Sequence, residues 1–110
     1  MPTHRMSVGR TGEHIAASFL ERRGAVIVDR NVRIGRDEID LLVMLDGERV
    51  AVEVKSARGA DAHPEDNFDD AKERHVRRAA RNLTPPVWRI DLVTVVITDT
   101  GAMVRWLPEV

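Results

Sequence analysis

Asp40, Glu53 and Lys55 are the residues of this chain whose types and spacing could do chemistry. They lie in the stretch Asp-Glu-Ile-Asp-Leu-Leu-Val-Met-Leu-Asp-Gly-Glu-Arg-Val-Ala-Val-Glu-Val-Lys, residues 37–55, where Asp46-Gly47 separates two apolar-rich runs. Asp-Gly between such runs predicts a hairpin, because both central residues of a type I′ turn need positive φ. With that loop Leu45 faces Glu48, so Asp40 lies opposite Glu53 and Glu38 opposite Lys55. The period of two then puts all four side chains on one face. Opposite Cβ atoms are about 5 Å apart, a separation at which two ionised carboxylates repel by roughly 3 kcal/mol in an effective dielectric of about 20. Positive charge must compensate: a shared proton, the Lys55 ammonium, or a divalent cation such as Mg²⁺ or Mn²⁺ between Asp40 and Glu53. The plainer reading is a solvated face of ion pairs, Glu38 with Lys55 and Asp40 with Arg49. Leu42, Met44 and Ala51 share the face, which implies that it is partly covered.

The elements that must position this hairpin can be read on either side of it. A helix is predicted over residues 7–23, with Ser7 or Thr11 as cap, Ile15, Ala16, Phe19 and Leu20 as apolar stripe, and Gly24 as its end. Gly9 and Gly12 would each cost about 1 kcal/mol against Ala inside a helix, which implies close backbone approach or a late start. Glu13 stands at the edge of the stripe, either aimed at the sheet or simply favoured by the helix dipole near the N-terminus. A first strand follows over residues 25–33 and a turn over 34–36. After Lys55, residues 56–67 carry Gly59, Pro64 and no period, and read as a loop placed for substrate contact or for mere connection.

The next helix is predicted over residues 68–83, with Val76, Ala79, Ala80 and Leu83 on one face. Arg74, Arg77, Arg78 and Arg81 recur on the opposite face at helical spacing, behind the acids Asp66, Asp69, Asp70 and Glu73. The order of charges suits the helix dipole. The unbroken arginine stripe also suits nucleic-acid phosphates, and four phosphate contacts on a duplex would give a slope of log affinity against log salt near −4. Lys72 projects from the apolar side and either snorkels outward or reaches for the acidic face. Thr84-Pro85-Pro86 stops the helix. Strands are predicted over residues 88–98 and 102–107, so the order is αβββαββ, an α/β fold with a mixed sheet of about five strands and flanking helices.

A chain of 110 residues, 43% hydrophobic and 32% charged, has the size and composition of one globular domain, residues 1–110. The net charge of −1 argues against indiscriminate nucleic-acid binding and leaves the arginine stripe as a local feature. With no cysteine, thiolate metal sites, disulfides and a Cys nucleophile are excluded. His4, His14, His63 and His75 show no paired ligand spacing, so a metal would be held by oxygen. No apolar run reaches a membrane span, and the opening Met-Pro-Thr-His-Arg-Met lacks the apolar core of a signal peptide. The expectation is a cytoplasmic protein with no membrane partner.

Asp40, then twelve residues, then Glu53-Val54-Lys55 resembles the PD-(D/E)xK nuclease core, with Ile39 where the Pro would stand. The surroundings extend the likeness: Gly9, Gly12-Glu13, Ala16 and Phe19-Leu20, then Asn31 and Arg33, Glu38-Ile39-Asp40-Leu41, Val52-Glu53-Val54-Lys55, Lys72, and Arg89 with Asp91. In that order, over nearly the whole chain, the residues resemble the YraN family of small uncharacterised proteins. Asp37 stands where the family has Gly, and Arg58 one residue later than the Arg that follows Glu-Val-Lys-Thr. The resemblance implies a restriction-endonuclease-like core similar to Holliday-junction resolvases, with Glu13, Asp40, Glu53 and Lys55 as catalytic residues around a divalent metal.

On that reading Asp40, Glu53 and the Val54 carbonyl would hold Mg²⁺ or Mn²⁺, and Lys55 would hold or deprotonate the attacking water. Lys72, Arg74, Arg77, Arg78 and Arg81 would meet nucleic acid. The implied activity is metal-dependent endonuclease cleavage of DNA, branched or junction DNA included, with a homodimer needed to cut both strands. The alternative is a non-catalytic nucleic-acid-binding protein that retains the nuclease fold. A third reading is a structural domain whose acids and Lys55 form a buried ion network.

Overall fold

Residues 7–110 are described by the structure, a computed structural model; the opening stretch, His4 with it, lies outside the described residues. Helix α1 runs Val8–Arg22, and the Ser7 hydroxyl caps it by accepting from the Arg10 N–H at 3.1 Å. Five strands follow in one sheet whose spatial order equals their chain order: β1 (Val26–Ile34), β2 (Asp37–Leu45), β3 (Glu48–Arg58), β4 (Arg89–Thr98) and β5 (Gly101–Leu107). Helix α2, Asp70–Arg81, connects β3 to β4, the one parallel pair; the other neighbours are antiparallel. The order αβββαββ and the mixed five-stranded sheet agree with the expectation.

Each helix covers one face of the sheet. Ala16, Ala17 and Leu20 of α1 pack into a core with Leu41, Val43, Val50, Val52, Val93 and Val95. Val76, Ala79 and Ala80 of α2 pack on the other side with Ile39, Leu42, Ala51 and Ile90. Among the described residues no helix is long and apolar enough to cross a membrane.

Three expectations need correction. Residues 56–58 are not loop: Ser56, Ala57 and Arg58 continue β3, paired in parallel with Val95, Val96 and Ile97. The long β-rich run of β4 supplies hydrogen-bond partners that outweigh the polar local sequence. Farther along, Pro64–Asn67 forms a short 3-10 turn with Pro64 buried. Helix α2 starts at Asp70, two residues later than predicted, because the Asp69 side chain accepts from the Lys72 N–H at 2.9 Å and caps it there. Phe68 and Leu83, read as helical, flank the helix and pack against its core instead.

Gly12 resolves as close approach, since it lies well inside α1. A Cβ at Gly12 would stand 1.7 Å from Ser56 Oγ and 2.7 Å from Ser56 Cβ. A rotamer change can move the hydroxyl but not the Ser56 Cβ. The clash, typically about 1–3 kcal/mol, therefore exceeds the gain of about 1 kcal/mol in helix propensity. Gly12→Ala is expected to lower stability by about 1–2 kcal/mol, and Ser56→Gly in the same chain to restore most of the loss. Urea melts of the two variants check this; a stabilised Gly12→Ala would contradict the packing.

Candidate active site

The hairpin register is the expected one. Asp46 and Gly47 take φ of 50° and 80°, as a type I′ turn requires. Pairing runs from Leu45–Glu48 to Leu41–Val52. There the ladder ends, and the next position on β2 is Asp40. Its Oδ2 accepts the Val54 N–H at 2.8 Å, so a carboxylate takes up a backbone donor where the two strands part.

The strand also turns over at this point. Leu41, Val43 and Leu45 face α1, whereas Ile39, two residues from Leu41, packs with α2. Opposite Asp40 in the β1–β2 register stands Asn31, whose φ of 50° is left-handed. Asn tolerates that conformation better than most side chains, which is the local reason the edge can bend here. Glu38 is therefore not on the face of Asp40, Glu53 and Lys55, and it does not pair with Lys55. Its partners are Asn31, whose Nδ2 donates at 3.2 Å, and the Arg33 guanidinium at 3.6 Å.

Glu53 and Lys55 share the period-two face of Ala51, beneath α2. The Lys55 Nζ is 3.4 Å from Glu53 Oε2, and both side chains are largely covered. Among the described residues the other oxygen, Glu53 Oε1, is buried and takes no hydrogen bond from an N–H or hydroxyl donor, which leaves a proton shared with the neighbouring Asp40 carboxyl or a cation to satisfy it. An orphaned buried carboxylate oxygen is costly and demands a cation or a donor. Asp40 shows the same shortage of positive charge. Burial first, and then Glu53 beside it, push its carboxyl up to about 8, against the opposing pull of the Val54 amide and Lys55. Burial and the neighbouring carboxylate thus both favour a proton held between the two acids.

These residues fit a hard divalent cation. Mg²⁺ takes one or two protein carboxylates and completes its shell with water and substrate oxygens. Asp40 and Glu53 offer that number, with one oxygen unengaged. Among the described residues no three acidic or imidazole side chains come together as a ligand cluster, so Glu13 does not join Asp40 and Glu53 in one ligand set. Val54 contributes its N–H to Asp40 in this arrangement, and its carbonyl remains the third ligand expected from the sequence.

Glu13 enters from α1, on the opposite side of the sheet. Its Oε1 accepts from Asn31 Nδ2 at 3.0 Å, and through Asn31 it is tied to Glu38. Burial raises the Glu13 carboxyl above the usual range and Asp40 and Glu38 add to this, while the Asn31 hydrogen bond and Arg10 oppose it. Asp40, at the turnover, is the group that meets both sets: Glu53 and Lys55 on one side, Glu13 on the other. Asn31 had no role assigned from the sequence. Its signal in the sequence was its place, with Arg33, in the YraN likeness.

The arginine stripe divides. Arg78 is bound to Asp37 through two hydrogen bonds, Nε to Oδ2 at 2.7 Å and Nη2 to Oδ1 at 2.9 Å. Arg77 donates to Glu73 at 3.2 Å and to the Val110 carbonyl. Among the described residues Arg74 and Arg81 have no carboxylate in ion-pair range. Lys72 is exposed, so it points outward and not across to the acids. Arg74 and Arg81 are thus the two of the four that no carboxylate engages among the described residues. Replacing both with Ala is expected to flatten the salt slope of duplex binding by about two units, measured by anisotropy across a salt series. The paired Arg77 and Arg78 should contribute less.

A family model described as Uncharacterised protein family UPF0102 matches residues 12–95, a span that includes Glu13, Asp40, Glu53 and Lys55. A UPF0102 protein of Syntrophotalea carbinolica is 40% identical over 82 residues, covering 74% of this chain and 67% of the relative. One from Paenarthrobacter aurescens is 41% identical over 104 residues, 87% of this chain and 84% of its own length. A more distant one, from Dictyoglomus thermophilum, is 24% identical over 106 residues and covers 90% of both chains.

Proposed function

We propose, from the premise that the chain belongs to the uncharacterised UPF0102 family, to which the YraN likeness pointed, that it is a metal-dependent endonuclease acting on DNA. The observation that carries this reading is the buried Asp40–Glu53 pair, short of positive charge, with no N–H or hydroxyl donor to Glu53 Oε1 among the described residues and with Lys55 alongside. Asp40 and Glu53 would hold Mg²⁺ or Mn²⁺, the Val54 carbonyl adding a ligand. Such a cation supplies charge relief at a phosphoryl group and lowers the pKa of a bound water. Lys55 would orient that water or take its proton at Nζ, and its ammonium would face the developing negative charge. Glu13, held by Asn31, would position Asp40 and share its proton load. Arg74 and Arg81 would hold the phosphate backbone, with Lys72 at the start of the same helix. Flapped or junction DNA as substrate rests on analogy with the Holliday-junction resolvases that the sequence resemblance implies, and cutting both strands would need two sites in a homodimer.

The test is cleavage of labelled duplex, single-stranded, flap and four-way-junction DNA with Mg²⁺ or Mn²⁺. Metal-dependent cutting abolished in Asp40→Asn is expected. Tight binding of every substrate with no cutting would establish the non-catalytic reading instead.

A further inference from the structure

We propose that Trp88 is a stacking platform for an unpaired base, which makes the substrate of the proposed nuclease one with a single-stranded segment; the inference rests on that reading and narrows its substrate class. The chain has only 2 tryptophans. Trp106 is spoken for, because its Nε1–H donates to the buried Asp91 at 2.8 Å. Trp88 leaves 69% of its surface exposed. A large aromatic side chain ordinarily buries most of its area, so this one draws attention through the charges set beside it and not through exposure alone.

The ring is held out by its surroundings. Val87 before it is buried, and its N–H donates to the Ala80 carbonyl at 2.9 Å, tying the segment to the end of α2. Arg89 after it is fixed by Asp91 and by Glu48, with Nε to Asp91 Oδ1 at 3.0 Å and Nη1 to Glu48 Oε1 at 3.2 Å. With both neighbours pinned, Trp88 has little freedom to fold back, so a base meeting it meets a preorganised surface.

Charge on the same surface selects the occupant. The Arg81 guanidinium lies 5.9 Å from the centroid of the Trp88 ring. A groove of about 390 Å³ runs along α2 past Arg74, Arg77 and Arg81, and the last two also line the depression that contains Trp88. Arg74 and Arg81 are two helical turns apart, roughly 10 Å, so a backbone can lie along them. An aromatic ring beside cations that track phosphates is the pattern of single-strand binding, because every base has a π-face and the arginines hold its backbone. A base inside a duplex has both faces covered by its neighbours and cannot use the ring. Arg89, next to Trp88, pairs with Val50, three residues before Glu53 on β3, about 10 Å along the strand.

The test is fluorescence anisotropy of a labelled single strand and a duplex of equal length, with EDTA so that cleavage plays no part. Trp88→Ala is expected to weaken single-strand binding on the order of tenfold relative to duplex binding. Trp88→Phe should keep most of that ratio. An abasic strand should bind the wild type no better than the normal strand binds Trp88→Ala. Oligonucleotide should quench tryptophan emission in the wild type and leave Trp88→Phe unquenched, a readout that a general folding defect would not mimic. An unchanged ratio in Trp88→Ala would overturn the platform while leaving the nuclease reading in place. Wild type that binds neither strand form would overturn both. Concentration-dependent self-association lost in Trp88→Ala, with nucleic-acid binding unaffected, would assign the ring to a protein contact and overturn the proposal.

Discussion

Lys55→Ala is expected to lower metal-dependent cleavage about a hundredfold or more, the usual contribution of a positioned proton-transfer group, while tightening the hold on the metal. The two effects have opposite signs for one reason. Lys55 Nζ stands 3.4 Å from Glu53 Oε2 and offsets part of the charge of the acidic pair. Removing it leaves the carboxylates more exposed to each other, so a divalent cation gains more by binding there. A side chain that merely stabilised the fold would lower cleavage and metal binding together. Single-turnover cleavage at saturating Mn²⁺, beside a metal titration of the same variant, separates the cases. Undiminished cleavage in Lys55→Ala would remove Lys55 from the chemistry.

Asp40→Asn is expected to change how stability depends on pH, by an amount on the order of a few kcal/mol at pH 8. The Asp40 carboxyl holds its proton up to about 8 in the folded protein, whereas an unfolded Asp releases it near pH 4. Between those values the folded state binds one more proton than the unfolded state, so stability falls as pH rises through that window. Its full contribution is present only below about pH 4. Asn cannot ionise, and the variant should lose this decline and be more stable than the wild type at pH 8 in EDTA. Adding Mn²⁺ should restore the wild type at pH 8 by mass action and leave the variant unmoved. Denaturant melts from pH 4 to 9 give the comparison; a wild-type profile parallel to that of Asp40→Asn would contradict the shared proton.

Much of this site was legible in the sequence, for identifiable reasons. Asp46-Gly47 set the hairpin register from Leu45–Glu48 to Leu41–Val52, because a type I′ turn leaves little choice of which residues face each other; the ladder stops one step short of Asp40 and Glu53, which come together where the strands part. Gly12 stood out because a helix interior penalises it. What a period cannot carry is a break in the period. The turnover at Asp40, which sends Glu38 to Asn31 and Glu13, depends on the left-handed Asn31 on the neighbouring strand and on α1 docked against it. The division of the arginines was equally hidden. Asp37 and Arg78 are separated by 41 positions in the chain, and only the packing of α2 over β2 brings them together. Trp88 read simply as the start of a strand, since nothing local says which side chains of a β-rich run the fold will leave uncovered.

In the proposed nuclease Asp40 and Glu53 would hold one divalent cation in place of a proton. Calorimetric titration of Mn²⁺ into the protein near pH 7, repeated in buffers of different ionisation enthalpy, measures both the binding and the protons released. One site, release of about one proton per metal, and loss of binding in both Asp40→Asn and Glu53→Gln are expected. Equal Mn²⁺ affinity in the wild type and the two variants, or binding without proton release, would contradict it.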